Sequence, residues 1–305
     1  MTPIETRAGA LARCARDPDA EALVRGALLI ASIEHGDLDA APTLATLAAM
    51  GHEAARRLAR ITALEEQVRT LGDYLFEDLG FHGNEDRYDD PRNSFLNDVL
   101  VRRTGIPISL ATVYLDVGRR AGLRLEGVNF PGHFLVRALG AGSHEPDLLI
   151  DVFHRGAILR EIDCQRLLER HAGGEVVLSA EVLATADVRQ TLARMATNLK
   201  RLYVRSRSFV QALEATHLLV ALDDDSPVEI RDRGLLAYQL KRFPEALRDL
   251  ERYLRLISPP FVTGAPAAPP PAESAGGDED DDDRKEYEQI WEHVKTLRRR
   301  VAGFN

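Results

Sequence analysis

Three residues in the middle of the chain have the types and the order of an acyl-transfer site. Ser109 stands near the start of a helix that follows Gly105-Ile106-Pro107, His133 opens a strand, and Asp151 ends the next strand. A hydroxyl, an imidazole and a carboxylate in that order supply a nucleophile, its general base and the acid that orients the base. A helix N-terminus favours developing negative charge, and its free N–H groups help to form an oxyanion site. The same residues also have a plainer reading. Ser109 is then a first-turn residue bonding its own backbone, and His133 with Asp151 is a buried hydrogen-bonded pair stiffening two strands.

Other chemistry has less support. Cys14 and Cys164 lie far apart with no CxxC pair, so neither a disulfide framework nor a thiolate metal site is expected. His144 and His154 flank the third strand without HxH or HExxH spacing, so no metal is expected. Asn84 and Asn97 either line a cleft near the helix start or serve turns and caps. Gly83, Gly105, Gly132 and Gly156 form no phosphate loop, and no cofactor is expected.

The elements that must position these residues follow from periodicity. Residues 1 to about 80 keep a helical spacing of apolar positions, broken at Gly36-Asp37. A polar turn region runs from Gly80 to Pro91, and a helix starting at Asn93 or Ser94 follows it. The next helix starts at Pro107, where a missing N–H costs nothing, and ends at Gly122. The period then changes to that of strands: Leu123 to about Phe130, His133–Leu139 and Leu148–Phe153. The fold class is α+β, a helical N-terminal part against a small antiparallel sheet, over residues 1–180.

Residues 185–257 are helical again and repeat themselves. Arg207–Leu213 (RSFVQAL) matches Lys241–Leu247 (KRFPEAL) at a shift of 34 residues, and the same shift pairs Leu202 with Leu236 and Val220 with Leu254. That period and the aromatic-x-x-Ala-Leu opening resemble the tetratricopeptide repeat. Residues 258–283, with six prolines and seven acids, read as a disordered linker. Residues 284–305 read as an amphipathic helix whose Ile290, Trp291, Val294 and Leu297 dock on the preceding helices.

The stretches GNEDRYDDPRNSFLNDVLVRRTGIPISL, GVNFPGHFLVR and LID, followed by the repeats, resemble the bacterial SirB-type family. That family joins a transglutaminase-like core, papain-like in layout, to C-terminal tetratricopeptide repeats. The superfamily places a catalytic Cys at a helix start and then His and Asp on successive strands. The resemblance therefore implies Ser109 in the Cys position, with His133 and Asp151 in the other two. Val152 stands where the family commonly has Pro before Phe153. The replacement of a thiol by a hydroxyl implies a non-catalytic or vestigial core whose repeats recognise a protein or peptide. The alternative is a Ser-His-Asp hydrolase or acyltransferase acting on amide or ester bonds.

The 305 residues carry 48 acids against 39 bases, net −9, which argues against a large electrostatic grip on nucleic acid. Seven of the acids lie between Ser258 and Asp283, so the rest is nearly neutral and net charge says little about its partners. The basic end of the last helix (Lys295, Arg298, Arg299, Arg300) is read as complementing the helix dipole. No apolar run approaches a membrane span and no signal-peptide pattern opens the chain, so a cytoplasmic location is expected.

Overall fold

The computed structural model describes residues 3–19, 21–142, 145–172, 176–257 and 278–302. His144 and residues 258–277 of the expected linker lie outside the described residues. The chain forms two units, Met1–Leu202 and Tyr203–Asn305.

In the first unit, helices α1 (Pro3–Cys14), α2 (Ala22–His35), α3 (Ala41–Leu58) and α4 (Leu64–Gly72) precede a short π-helical stretch, Asp73–Asp78. Two-residue strands β1 (His82–Gly83) and β2 (Thr104–Gly105) pair in parallel and bracket α5 (Leu96–Arg102). Helix α6 (Pro107–Arg120) is the spine of the unit, with every residue from Pro107 to Gly118 buried. It packs against α3 on one side and against the sheet on the other. It is buried on all faces, as expected of a core helix, and its polar residues Ser109, Thr112 and Asp116 are buried with the rest. Tyr114 stacks on Phe76, with ring centroids 6.2 Å apart, and its hydroxyl donates to the Val68 carbonyl.

The sheet comprises β3 (Leu125–Val128), β4 (Leu135–Ala138), β5 (Leu148–Asp151), β6 (Ala157–Leu159) and β7 (Thr185–Ala186), in the order β6-β5-β4-β3-β7 with every pair antiparallel. β4 begins and β5 ends at the same end of the sheet, since Val136 pairs with Ile150. That register brings the segments carrying His133 and Asp151 together. Helix α7 (Glu161–Ala172) covers the sheet through Cys164, Leu167 and Leu168, which pack with Val128, Phe130 and Leu135. The unit extends beyond the expected boundary at residue 180. β7 completes the sheet, and Leu192 of α8 (Val188–Arg205) sits so close to α2 that a Cβ on Gly26 would lie 2.5 Å from it.

The second unit holds α9 (Phe209–Leu222), α10 (Pro227–Gln239), α11 (Phe243–Ile257) and α12 (Asp278–Ala302). The 34-residue period is a backbone period as well as a sequence one. Phe209 and Phe243 open α9 and α11, and Arg207 and Lys241 just before them both have positive φ, 57° and 61°. The turn bond from the Ser208 N–H to the Tyr203 carbonyl recurs from Arg242 to Ala237, each at 2.8 Å. Tyr287, Ile290, Val294 and Leu297 of α12 are buried with Ile230, Ala246 and Leu250, and Trp291 packs against that core. α12 starts at Asp278, six residues before the expected start at 284. The backbone of the acidic run thus forms the first turns of a helix.

Candidate functional site

The chemistry gathers where β4 starts and β5 ends. His133 Nε2 lies 2.9 Å from Asp151 Oδ1, with both side chains only 4% exposed. Asp151 Oδ1 also accepts the N–H groups of Phe153 (3.1 Å) and His154 (3.2 Å), so the turn after β5 fixes the carboxylate. The second oxygen, Oδ2, lies 2.7 Å from His154 Nδ1. Burial pushes the Asp151 carboxyl up, but the His133 and His154 imidazoles outweigh it and hold the group below the ordinary carboxylate value. Asp151 is therefore an anion shared by two imidazoles.

Around this pair stands a stack of rings. His154 and His171 stack on His133 with centroids 5.9 Å away in each case, and Phe153 meets its ring edge-on at 6.0 Å. Burial, and next the neighbouring His133, lower the pKa of His171. The approach of His171 explains the glycine of the FPGH motif. Gly132 has φ +67°, and a Cβ there would lie 2.6 Å from the His171 side chain. An open cleft of about 480 Å³ lies over the cluster and is lined by Glu85, Tyr88, Pro107, His133, His154, Arg170 and His171, among others. The side-chain ligand atoms of His133, Asp151 and His154 all lie within 4.8 Å of one another. They are the residues here able to hold a cation.

Ser109 is not part of this constellation. Its hydroxyl donates to the Asn93 carbonyl at 2.5 Å and accepts the Ile106 N–H at 3.1 Å, with the Ile106 carbonyl also 3.1 Å away. All three partners are main-chain groups, and the residue is fully buried. Gly105 makes room for this arrangement, because a Cβ there would lie 2.7 Å from Ser109 Oγ. The first-turn residue of α6 that does line the cleft with His133 is Pro107. The structure thus joins His133 to Asp151 and keeps the Ser109 hydroxyl on the main chain. It adds His154, His171, Arg170 and Pro107, which motif spacing does not indicate.

The polar motif before α5 works as a clamp on the same helix start. Asn93 is fully buried; its amide donates to the Arg87 carbonyl (2.7 Å) and the Tyr88 carbonyl (3.2 Å). Its side-chain oxygen accepts from Asn84 (3.1 Å) and Arg102 (3.3 Å), while its own carbonyl accepts from Ser109. Asp90 caps the turn by accepting the Arg92 N–H, and it also pairs with the Arg92 and Arg102 guanidiniums. Asn84 therefore serves the turn, as one of its two expected roles had it. Asn93→Ala removes all the bonds of the Asn93 side chain: Asn84 and Arg102 lose that acceptor and the Tyr88 carbonyl loses that donor, while the Arg87 carbonyl keeps the Asp90 N–H. It should lower unfolding stability by at least about 3 kcal/mol, read as a shift in denaturant midpoint.

Comparison with known proteins agrees with this architecture. Residues 41–197 match the transglutaminase-like superfamily, and residues 199–269 match a tetratricopeptide repeat. The chain is similar to a UPF0162 protein of Xylella fastidiosa, 38% identical over 246 residues that cover 79% of this chain and 85% of that one. It is also similar to a UPF0162 protein of Vibrio cholerae, 31% identical over 243 residues, covering 79% and 88%. F-box only protein 21 of Homo sapiens is 33% identical over 191 residues, which cover 60% of this chain and 30% of that one. No solved structure matches.

Proposed function

This chain belongs to the transglutaminase-like superfamily, among the UPF0162 proteins, and on that premise we propose that its core binds a ligand without turning it over, while its repeats engage a protein or peptide. One observation carries the reading. The first-turn residue of α6 that lines the cleft together with His133 is Pro107, which offers no nucleophilic atom, and the nearby Ser109 hydroxyl is committed to the main chain. The thiols support it. Burial pushes Cys164 up to about 11 and raises Cys14 as well, so neither is poised as a thiolate. His133 and Asp151 then serve as a rigid polar floor for the cleft. The repeats supply the second surface, since stacked helix pairs of this kind present concave faces to partners. The two free thiols favour a reducing compartment such as the cytoplasm, and no helix among the described residues is long and apolar enough to cross a membrane.

The competing Ser-His-Asp hydrolase requires Ser109 Oγ within hydrogen-bond reach of His133. The test is a panel of amide and ester acyl donors offered to metal-free protein. The expected result is turnover no faster than that of His133→Ala. Turnover that disappears in Ser109→Ala, with the fold intact, would restore the hydrolase. Structurally, Ser109→Ala should cost about 1–3 kcal/mol, because it leaves buried main-chain groups short of a partner.

A further inference from the structure

We infer that His133, Asp151 and His154 form a binding site for a divalent first-row transition-metal ion of the zinc class, at the floor of the cleft. The inference goes beyond the ligand-binding role proposed above and stands whether or not the cleft is catalytic. Two imidazole nitrogens and a carboxylate are a donor set that such ions take, whereas the oxygen-only sets of calcium and magnesium are absent from this cluster. The donors are already assembled. Nε2 of His133 and Nδ1 of His154 approach opposite oxygens of one carboxylate at 2.9 and 2.7 Å, and the three ligand atoms all lie within 4.8 Å.

Ligand atoms around one tetrahedral ion at metal distances of about 2.0–2.2 Å stand roughly 3.4 Å apart. A cation there takes the place of the two hydrogen bonds, each imidazole keeping one proton on its other ring nitrogen, and draws ligand atoms that already lie within 4.8 Å of one another to that spacing. His154 has room for that adjustment, since its side chain is 47% exposed. The outer contacts also suit a metal. The Phe153 and His154 N–H groups hold Oδ1 of the carboxylate, and the Phe153 and His171 rings pack on His133. The cleft leaves the remaining coordination positions open to water or to a ligand group. The three donors come from the turn before β4, from the end of β5 and from the turn after it. Their spacing of 18 and then 3 residues matches no short metal motif, which is why only the fold reveals them.

The test uses the full chain stripped of metal with a chelator and then titrated with Co(II), followed by its visible ligand-field bands. Displacement by Zn(II) and titration calorimetry with Zn(II) alone give the affinity. The expected result is one equivalent of Co(II) in a site of low coordination number, displaced by Zn(II) with a dissociation constant in the micromolar range or tighter. His154→Ala should weaken Zn(II) binding by at least about tenfold while leaving the circular dichroism spectrum unchanged. The variant also separates this site from the acidic run Asp278–Asp283, which offers only oxygen donors. Absence of the bands, or His154→Ala binding as tightly as the parent, overturns the inference. The turnover assay on metal-free protein is a separate measurement, so either proposal can fail while the other stands.

Discussion

Pro107→Cys should give a thiol that ionises below about pH 7 and is alkylated near neutral pH at least about tenfold faster than either native cysteine. The side chain at the first position of α6 lines the cleft beside His133. A thiol there meets an imidazole backed by an anionic carboxylate, and it sits at the positive end of a 14-residue helix. Both features favour a thiolate over the ordinary thiol value of about 8.5. The native cysteines supply a quiet background, since burial holds Cys164 up at about 11 and raises Cys14. Ser109→Cys should behave in the opposite way. That thiol would be fully buried against the Asn93 and Ile106 carbonyls, and carbonyl oxygens disfavour a thiolate. The measurement is the pH dependence of alkylation, with the modified residue identified by mass spectrometry. In a Pro107→Cys, His133→Ala double variant the thiol should return towards its ordinary value. A Pro107→Cys thiol that titrates above pH 8 would show that helix start and imidazole do not face each other, and the carrying observation for a non-catalytic cleft would fall with it.

The difference between Pro107 and Ser109 shows where sequence reasoning stops. Motif order predicts a helix from Pro107 followed by strands bearing His133 and Asp151; α6, β4 and β5 follow in that order and β5 carries Asp151, but His133 stands in the turn two residues before β4 rather than opening the strand. What motif order does not supply is the rotation of the helix about its axis. Two residues apart on an α-helix means about 200° of turn, so neighbouring first-turn residues face nearly opposite sides. The helix is buried all round, so exposure does not set the phase, and its polar residues Ser109, Thr112 and Asp116 share one face at helical spacing, which draws attention to the face opposite Pro107. Attention to chemical types then favours a hydroxyl over a proline that has none. His154 and His171 were hidden for a different reason. They reach His133 through the turn after β5 and through α7, contacts that exist only once the sheet has formed. The repeat, by contrast, is written locally, and the same residues that match at 34 positions also repeat a turn hydrogen bond and a left-handed residue. The acidic run reads from composition as linker, whereas its backbone opens α12.

Asp249→Ala should destabilise the repeat unit by about 3–5 kcal/mol, because it removes one partner of a buried ion pair and strands the other. Asp249 is 2% exposed, and Arg233 grips it with two parallel bonds, Nε to Oδ2 at 2.7 Å and Nη2 to Oδ1 at 2.8 Å. This clamp ties α10 to α11 beside the helix that carries His217. Burial, and then the positive charge of Arg233, push the His217 pKa down to about 4, against the opposing pull of Asp249. The unfolded chain protonates that imidazole near its ordinary value of 6.5, so between pH 6.5 and about 4 the unfolded state binds the extra proton. Stability from this group is fully present above pH 6.5 and is lost as the pH falls through that window, by up to about 3 kcal/mol. Trp291, the single tryptophan, packs in the same core, so its fluorescence follows unfolding of this unit alone. Urea midpoints taken at pH 7, 5 and 4 should fall steadily for the parent and much less for His217→Gln. In Asp249→Ala the carboxylate no longer offsets Arg233. The imidazole then resists protonation further, and the loss of stability should continue below pH 4. A parent midpoint that stays flat from pH 7 to pH 4 would mean that His217 charges freely in the folded unit. The buried cluster around Arg233 and Asp249 would then not be closed to water.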